Sequence, residues 1–263
     1  MPQRPMAGPT ELSYNKDAGP NQTQKGEFMK AINILVAVVM FTAVAGYAQS
    51  RNYESDAKAA IIAMNDQGDA SVGPKIAEYL KANNVAIRTQ TGDTASVTAV
   101  RSAGAAAIVL NDKAAAKASM RGMAVLVAQG AAELMYPTSG ELVTAETVYM
   151  HAAMVAETYF EMHGERALLP DCGGFTDKKL AGYIRLWTEN GAEQGIGVLR
   201  EQGYKSVTDL QAQLTKEMAG KPSAEKAKQL QAISKKLASI AADFASFKNF
   251  ERNWLASNSF MLK

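Results

Sequence analysis

The chain has 263 residues, 47% of them apolar and 21% charged, and a formal net charge of +2 at neutral pH. That balance supports a packed core and excludes both a disordered polyelectrolyte and the basic stripe that nucleic acid requires. Cys172 is the only cysteine, so no internal disulfide can form and packing alone must hold the fold.

Residues 1–28 are rich in Pro, Gly, Asn, Gln and Thr without an apolar period, the composition of a disordered tail. Lys25-Gly26-Glu27 can also be encoded by a purine run of the bacterial ribosome-binding kind, just before the Met29 codon. The expectation is therefore a start at Met29, with 1–28 an untranslated leader. Residues 29–48 then read as a secretory signal peptide. Met29-Lys30 is the charged start, Ala31 to Val44 the apolar middle, and Gly46 and Ala48 the small residues before a cut after Ala48. The apolar run of about 14 residues is short for a bilayer. The mature chain is expected in the periplasm or outside the cell, with no integral membrane segment and, lacking a cysteine at the cut, no lipid anchor.

Beyond residue 48, Ala57, Ala60, Ile61 and Met64 recur at helical spacing, and Asn65 to Asp69 stops that helix with turn formers. Pro74 is expected as the first residue of the next helix, with Ile76, Ala77, Tyr79 and Leu80 apolar. Val85–Gln90 alternates as a half-buried strand does, Thr91–Thr94 is a turn, and Ala105–Leu110 reads as a short buried strand ended by Asn111-Asp112. One helix is expected over 114–135, with Met120, Met123, Ala124, Val127, Ala131 and Leu134 inward. Pro137 to Gly140 breaks the chain, and Thr144 caps a helix reaching about 163, with Val148, Ala152, Val155, Tyr159 and Met162 inward. Leu169–Gly174 is a loop carrying Cys172. Helices follow over 177–189, after the Asn190-Gly191 break over 194–202, from the Ser206–Asp209 capping box, and over about 223–247. Phe250, Trp254 and Phe260 supply closing aromatic contacts. The expected fold is α+β and mostly α-helical, with a small β-sheet near the start of the mature chain followed by a helical bundle. The expected organisation is an α+β domain over 49–165 with a C-terminal helical region, 166–263, packed on it.

The helix after the strand AAAIVLN contains Gln129-Gly130-Ala131-Ala132-Glu133. An HExxH helix places two histidines four apart on one side to bind zinc, with the glutamate between them activating a metal-bound water. The strand, the Asn, the long Ala-rich helix, Tyr136 and the break after it make residues 74–165 similar to small zincin-like metallopeptidases. By that resemblance Gln129 and Glu133 stand at the histidine positions, Gly130 at the glutamate position, and Glu157 is the counterpart of a third metal ligand. All three groups of the motif are replaced, so the resemblance implies a zincin-like fold without zinc: no cofactor, no metal and no catalytic residue. The same residues also suit ordinary packing. Gln129 and Glu133 share a helix side, and Gly130, unfavourable in a helix by about 1 kcal/mol against Ala, suggests close approach of another backbone.

The two histidines, His151 and His163, stand about 18 Å apart along one straight helix and cannot share a metal there. His151 reads as a core or edge residue, and His163 as a favourable charge at a helix C-terminus. No supporting motif surrounds Cys172. Gly195-Ile196-Gly197 lacks the third glycine and the strand of a dinucleotide site, and Asn65–Asp69 lacks the spacing of a calcium loop. The lysines among Leu230, Ile233, Leu237, Ile240 and Phe244 allow a helix on a membrane surface or a partner, but folding back on its own domain is the expected use. The functional expectation is a secreted or periplasmic, non-catalytic binding or structural protein, built on a degenerate zincin-like scaffold, with a protein or cell-envelope partner. The alternative is a metal-dependent hydrolase using Glu133, Glu157 and a histidine.

Overall fold

Asn52 opens the first helix by accepting the Ser55 N–H on its side chain, and α1 runs Tyr53–Asn65 with Ala57, Ala60 and Met64 buried. The structure, a computed structural model, describes residues 51–68, 71–92, 95–102, 104–140, 142–163 and 178–258, with the backbone alone at 163 and 178–180. The leader, the signal peptide, the Cys172 loop, Phe260 and the His163 side chain fall outside that description. The chain divides after Arg51, and the elements below belong to the unit Asn52–Lys263.

Helix α2 spans Val72–Ala82, so it begins two residues before Pro74. Ser71 is its N-cap residue, but its side chain makes no capping bond. The amides of Val72 and Gly73 are free to turn elsewhere, as described below. Strand β1 is Ala86–Gln90, β2 Val97–Ser102 and β3 Ala105–Asn111, in the order β1-β3-β2. β1 runs parallel to β3, and β2 antiparallel to it with Ala99 opposite Ile108 and Val97 opposite Leu110. β2 was not anticipated, although Val97-Thr98-Ala99-Val100 alternates with the strand period. Its inner side chains, Val97 and Ala99, are small and few, and its outer Val100 is 44% exposed, so no strong apolar run marks it.

The helix expected over 114–135 is two helices. α3 spans Asp112–Lys117, and α4 spans Met120–Met135 after an extended Ala118. Asn111 caps α3, and Ser119 caps α4 through the Gly122 N–H. This new start puts Met120 in the first turn, 42% exposed rather than inward. From Met123 on, α4 is buried nearly all round between the sheet, α1 and α5. Arg101 on β2 donates to the Leu134 carbonyl, one of the acceptors left open at the end of α4.

α5 spans Ala145–His163, where Thr144 and Thr147 bond each other's amides at its start. α6 spans Lys178–Glu201 and is interrupted at Gly191, whose φ of 63° and extended ψ mark the expected Asn190-Gly191 break. α7 spans Val207–Ala219 from the Ser206–Asp209 capping box, and α8 spans Ala224–Asn258. α8 has 35 residues, about 52 Å of helix, and takes in Phe250 and Trp254. Leu230, Ile233, Leu237, Ile240, Phe244, Phe247, Glu251 and Trp254 recur every three or four residues along it, a heptad seam. The seam lies on α7 and then on α5, so this amphipathic helix folds back on its own domain.

The fold is thus α+β and mostly helical, with a small sheet followed by a helical bundle. Among the described residues no helix is long and apolar enough to cross a membrane.

Candidate functional site

α4 and α5 pack face to face, and the positions of the altered motif divide between them. Gly130 lies on the sheet side of α4. A Cβ there would stand 2.5 Å from Ile108 Cγ2 and 3.1 Å from Val97 Cγ2. The close approach is real, but side chains of the sheet make it rather than a backbone. The glycine lets helix and sheet come together at a position where any carbon would collide. Gln129 is also buried, and among the described residues its Oε1 accepts no hydrogen bond.

Glu133 sits at the C-terminal end of α4 and binds the turn that follows. Oε1 accepts the Thr138 N–H at 3.1 Å, and Oε2 accepts the Thr138 hydroxyl at 2.7 Å. The same Oε2 lies 3.5 Å from Nδ1 of His151, which is wholly buried. Nδ1 is also 3.3 Å from the Tyr136 carbonyl, so two acceptors face it and its proton belongs on that nitrogen. The His151 ring rests against Tyr183 of α6 at 4.9 Å between centres. His151 is a core residue, as its sequence setting suggests. Glu133, His151 and Thr138 lock the turn between α4 and α5.

Glu157 is elsewhere. It stands six residues after His151 on α5, so the two differ by about 240° around the helix and face different neighbours. Glu157 is wholly buried, and among the described residues neither carboxyl oxygen accepts a hydrogen bond. Burial is the chief cause pushing its pKa well above the usual carboxyl range. The charges of Glu161 and Glu251 add to that, and Lys75 opposes it. The structure therefore does not bring Glu133, His151 and Glu157 together. Among the described residues, no three His, Cys, Asp or Glu side chains are placed to hold a metal ion.

Three other glutamates, on α5 and α8, have hydrogen-bond roles that sequence reading missed. Glu161 of α5 accepts the N–H groups of Val72 and Gly73 at 2.7 and 3.2 Å, serving the open amides at the start of α2, and the Trp254 indole N–H at 2.7 Å. Burial raises its pKa, and these three donors hold it down. Glu146 accepts the Val207 N–H at 2.9 Å, at the start of α7. Glu251 of α8 accepts the Tyr149 hydroxyl at 2.5 Å. Burial raises the Glu251 pKa, while Tyr149 and the Ala192 amide beyond the Gly191 break oppose it. Burial, together with the Glu251 carboxylate, drives the Tyr149 pKa up. Glu161 and Glu146 thus serve helix starts that are distant in sequence, Glu251 serves a buried tyrosine hydroxyl, and Glu157 alone of these four has no donor among the described residues. Two signals pointed here: Glu157 and Glu161 are one turn apart on an apolar helix, and Glu251 fills a seam position of α8 where an apolar residue belongs.

Open grooves lie on another part of the described surface. One of about 660 Å³ runs between α7 and α8 and is lined by Leu214, Met218, Leu230 and Lys235. One of about 610 Å³ joins α7 to the segment after Pro137 through Leu142, Val143 and Tyr204. Neither includes Gln129, Glu133 or Glu157. The chain matches no protein-family model, no curated protein and no solved structure.

Proposed function

We propose that this chain is an exported, non-catalytic binding or structural protein whose partner is another protein or a component of the cell envelope. The observation that carries the reading is the use made of the altered motif. Gly130 seats α4 on the sheet, Glu133 locks the following turn, and Glu157 lies sealed among other carboxyls. These three positions are taken up in packing and local hydrogen bonds, and neither groove between α7 and its neighbours includes them. The strand, Asn and Ala-rich helix order supports descent from a zincin-like scaffold that lost its chemistry. The pattern of residues 29–48 supports export.

The decisive experiment is elemental analysis of the purified chain beside its Glu133→Ala and Glu157→Ala variants, with hydrolysis of a mixed peptide pool assayed in parallel. The expected result is no stoichiometric zinc and no peptide cleavage in any of the three. Stoichiometric metal that disappears in either variant would overturn the reading in favour of a metal-dependent hydrolase.

A further inference from the structure

Buried Glu157 and Glu251 and half-buried Glu161 lie where α5 packs on α2 and α8. Glu161 has three donors and Glu251 has Tyr149, but Glu157, one turn before Glu161, has no donor among the described residues. An anion there is strongly disfavoured unless a cation reaches it. The cation acting on it is Lys75 in the first turns of α2. Its ammonium instead lies 3.2 Å from the centre of the Phe250 ring, joining α2 to α8. Lys75 is exposed as a residue, yet desolvation of its ammonium pushes its pKa down, with Glu157 opposing that.

The charges acting on Glu157 are those of Glu161 along α5, Glu251 from α8 and Lys75 from α2, and Glu157 in turn acts on Tyr149. Glu133 of α4 is engaged with Thr138 and His151, and Tyr183 of α6 lies on the His151 ring.

We propose that Glu157 is a proton-controlled latch on this junction: neutral, it lets α2 and α8 close on α5, and ionised, it draws Lys75 off Phe250 and loosens both helices. The proton passes to solvent, and the carboxylate left behind takes the Lys75 ammonium as its partner. On this proposal the device has two arrangements, with the Lys75 ammonium on the Phe250 ring in one and beside the Glu157 carboxylate in the other. Glu161 and Glu251 keep their donors in the closed arrangement, which makes Glu157 the group whose ionisation the fold cannot absorb.

The chain reports on its own junction, because its two tryptophans, Trp187 and Trp254, are buried there with ring centres 5.1 Å apart. The test follows tryptophan emission and acrylamide quenching of the full chain from roughly pH 5 to pH 9.5. The expected wild-type result is a reversible red shift with an increase in quenching of about twofold as pH rises, while far-ultraviolet circular dichroism stays helical. Glu157→Gln, a neutral side chain of the same shape, is expected to abolish the transition. Lys75→Gln is expected to move its midpoint to higher pH, because the cation that favours ionisation is gone. A flat wild-type curve, a transition unchanged in Glu157→Gln, or a midpoint unmoved in Lys75→Gln would each overturn the latch. If Glu157→Gln does not fold, the Lys75→Gln midpoint decides alone.

Discussion

The Trp254 indole of α8 donates to the Glu161 carboxylate of α5 across 2.7 Å, while the same carboxyl group accepts the first two amides of α2. One side chain therefore ties together three helices that are far apart in sequence. Trp254→Phe keeps most of the ring packing and removes the N–H. A hydrogen bond to a charged group contributes about 1.5–3 kcal/mol, so a loss of that size is expected in urea unfolding. A change below about 0.5 kcal/mol, the usual size for a surface site, would mean that Glu161 is satisfied without Trp254.

At Gly130 two effects compete. Alanine improves intrinsic helix stability by about 1 kcal/mol. The added carbon would lie 2.5 Å from Ile108 Cγ2, in a core that has no slack, and overpacking costs about 1–3 kcal/mol. Gly130→Ala is therefore expected to be destabilising on balance. Combined with Ile108→Ala, which removes the clashing carbons, it should cost less than the two single changes together. A double-mutant cycle from urea unfolding measures that coupling.

Glu133→Ala removes both acceptors of Thr138 and one of the two acceptors facing His151 Nδ1. A loss of about 1–2 kcal/mol is expected, nearly the same in Glu133→Ala/Thr138→Ala as in Glu133→Ala alone, because the two residues share one interaction. Full additivity in the cycle would show that the turn lock is not energetic.

Stability should depend on pH with a definite sign. Glu157, Glu161 and Glu251 all hold their protons more tightly folded than unfolded. Unfolded, each ionises near about 4.3, so above that pH the folded chain binds more protons than the unfolded one. Their contribution is full below the unfolded value and is lost as pH rises toward the folded values. The urea midpoint is expected to be highest near the acid end of this window and to fall through neutrality. Glu157→Gln should fall less steeply and exceed wild type in mild alkali. A wild-type midpoint that climbs across the same range would contradict the burial of these acids.

The α7 start separates a structural cap from an ornamental ion pair. Ser206 bonds the Asp209 amide and closes a capping box, so Ser206→Ala is expected to cost about 1 kcal/mol. The Arg200–Asp209 pair beside it is solvent-exposed, and Arg200→Ala should change stability by less than about 0.5 kcal/mol. Thermal melts of both variants make the comparison.

The sequence by itself determined the elements that rest on local chemistry. The period of Ala57, Ala60 and Met64, the Ser206 capping box and the Asn190-Gly191 break each came out where the residues put them, because caps, glycines and apolar periods act over a few residues. Strand β2 and the split at Ser119 were harder to read. A strand with one weakly apolar face carries little pattern, and a single serine inside an Ala-rich run looks like part of the helix.

The glutamates were beyond sequence. Nothing near Glu161 says that it serves the start of α2, 88 residues earlier at Gly73, nor near Glu251 that it meets Tyr149. Likewise the motif residues Glu133 and Glu157 look like members of one site in the sequence, yet α5 turns His151 toward Glu133 and carries Glu157 to a different side. Local signals fix which segments become helices and strands. Which buried acid finds a donor, and which is left without one, depends on helix ends brought together only by packing, and so the tertiary structure alone decided it.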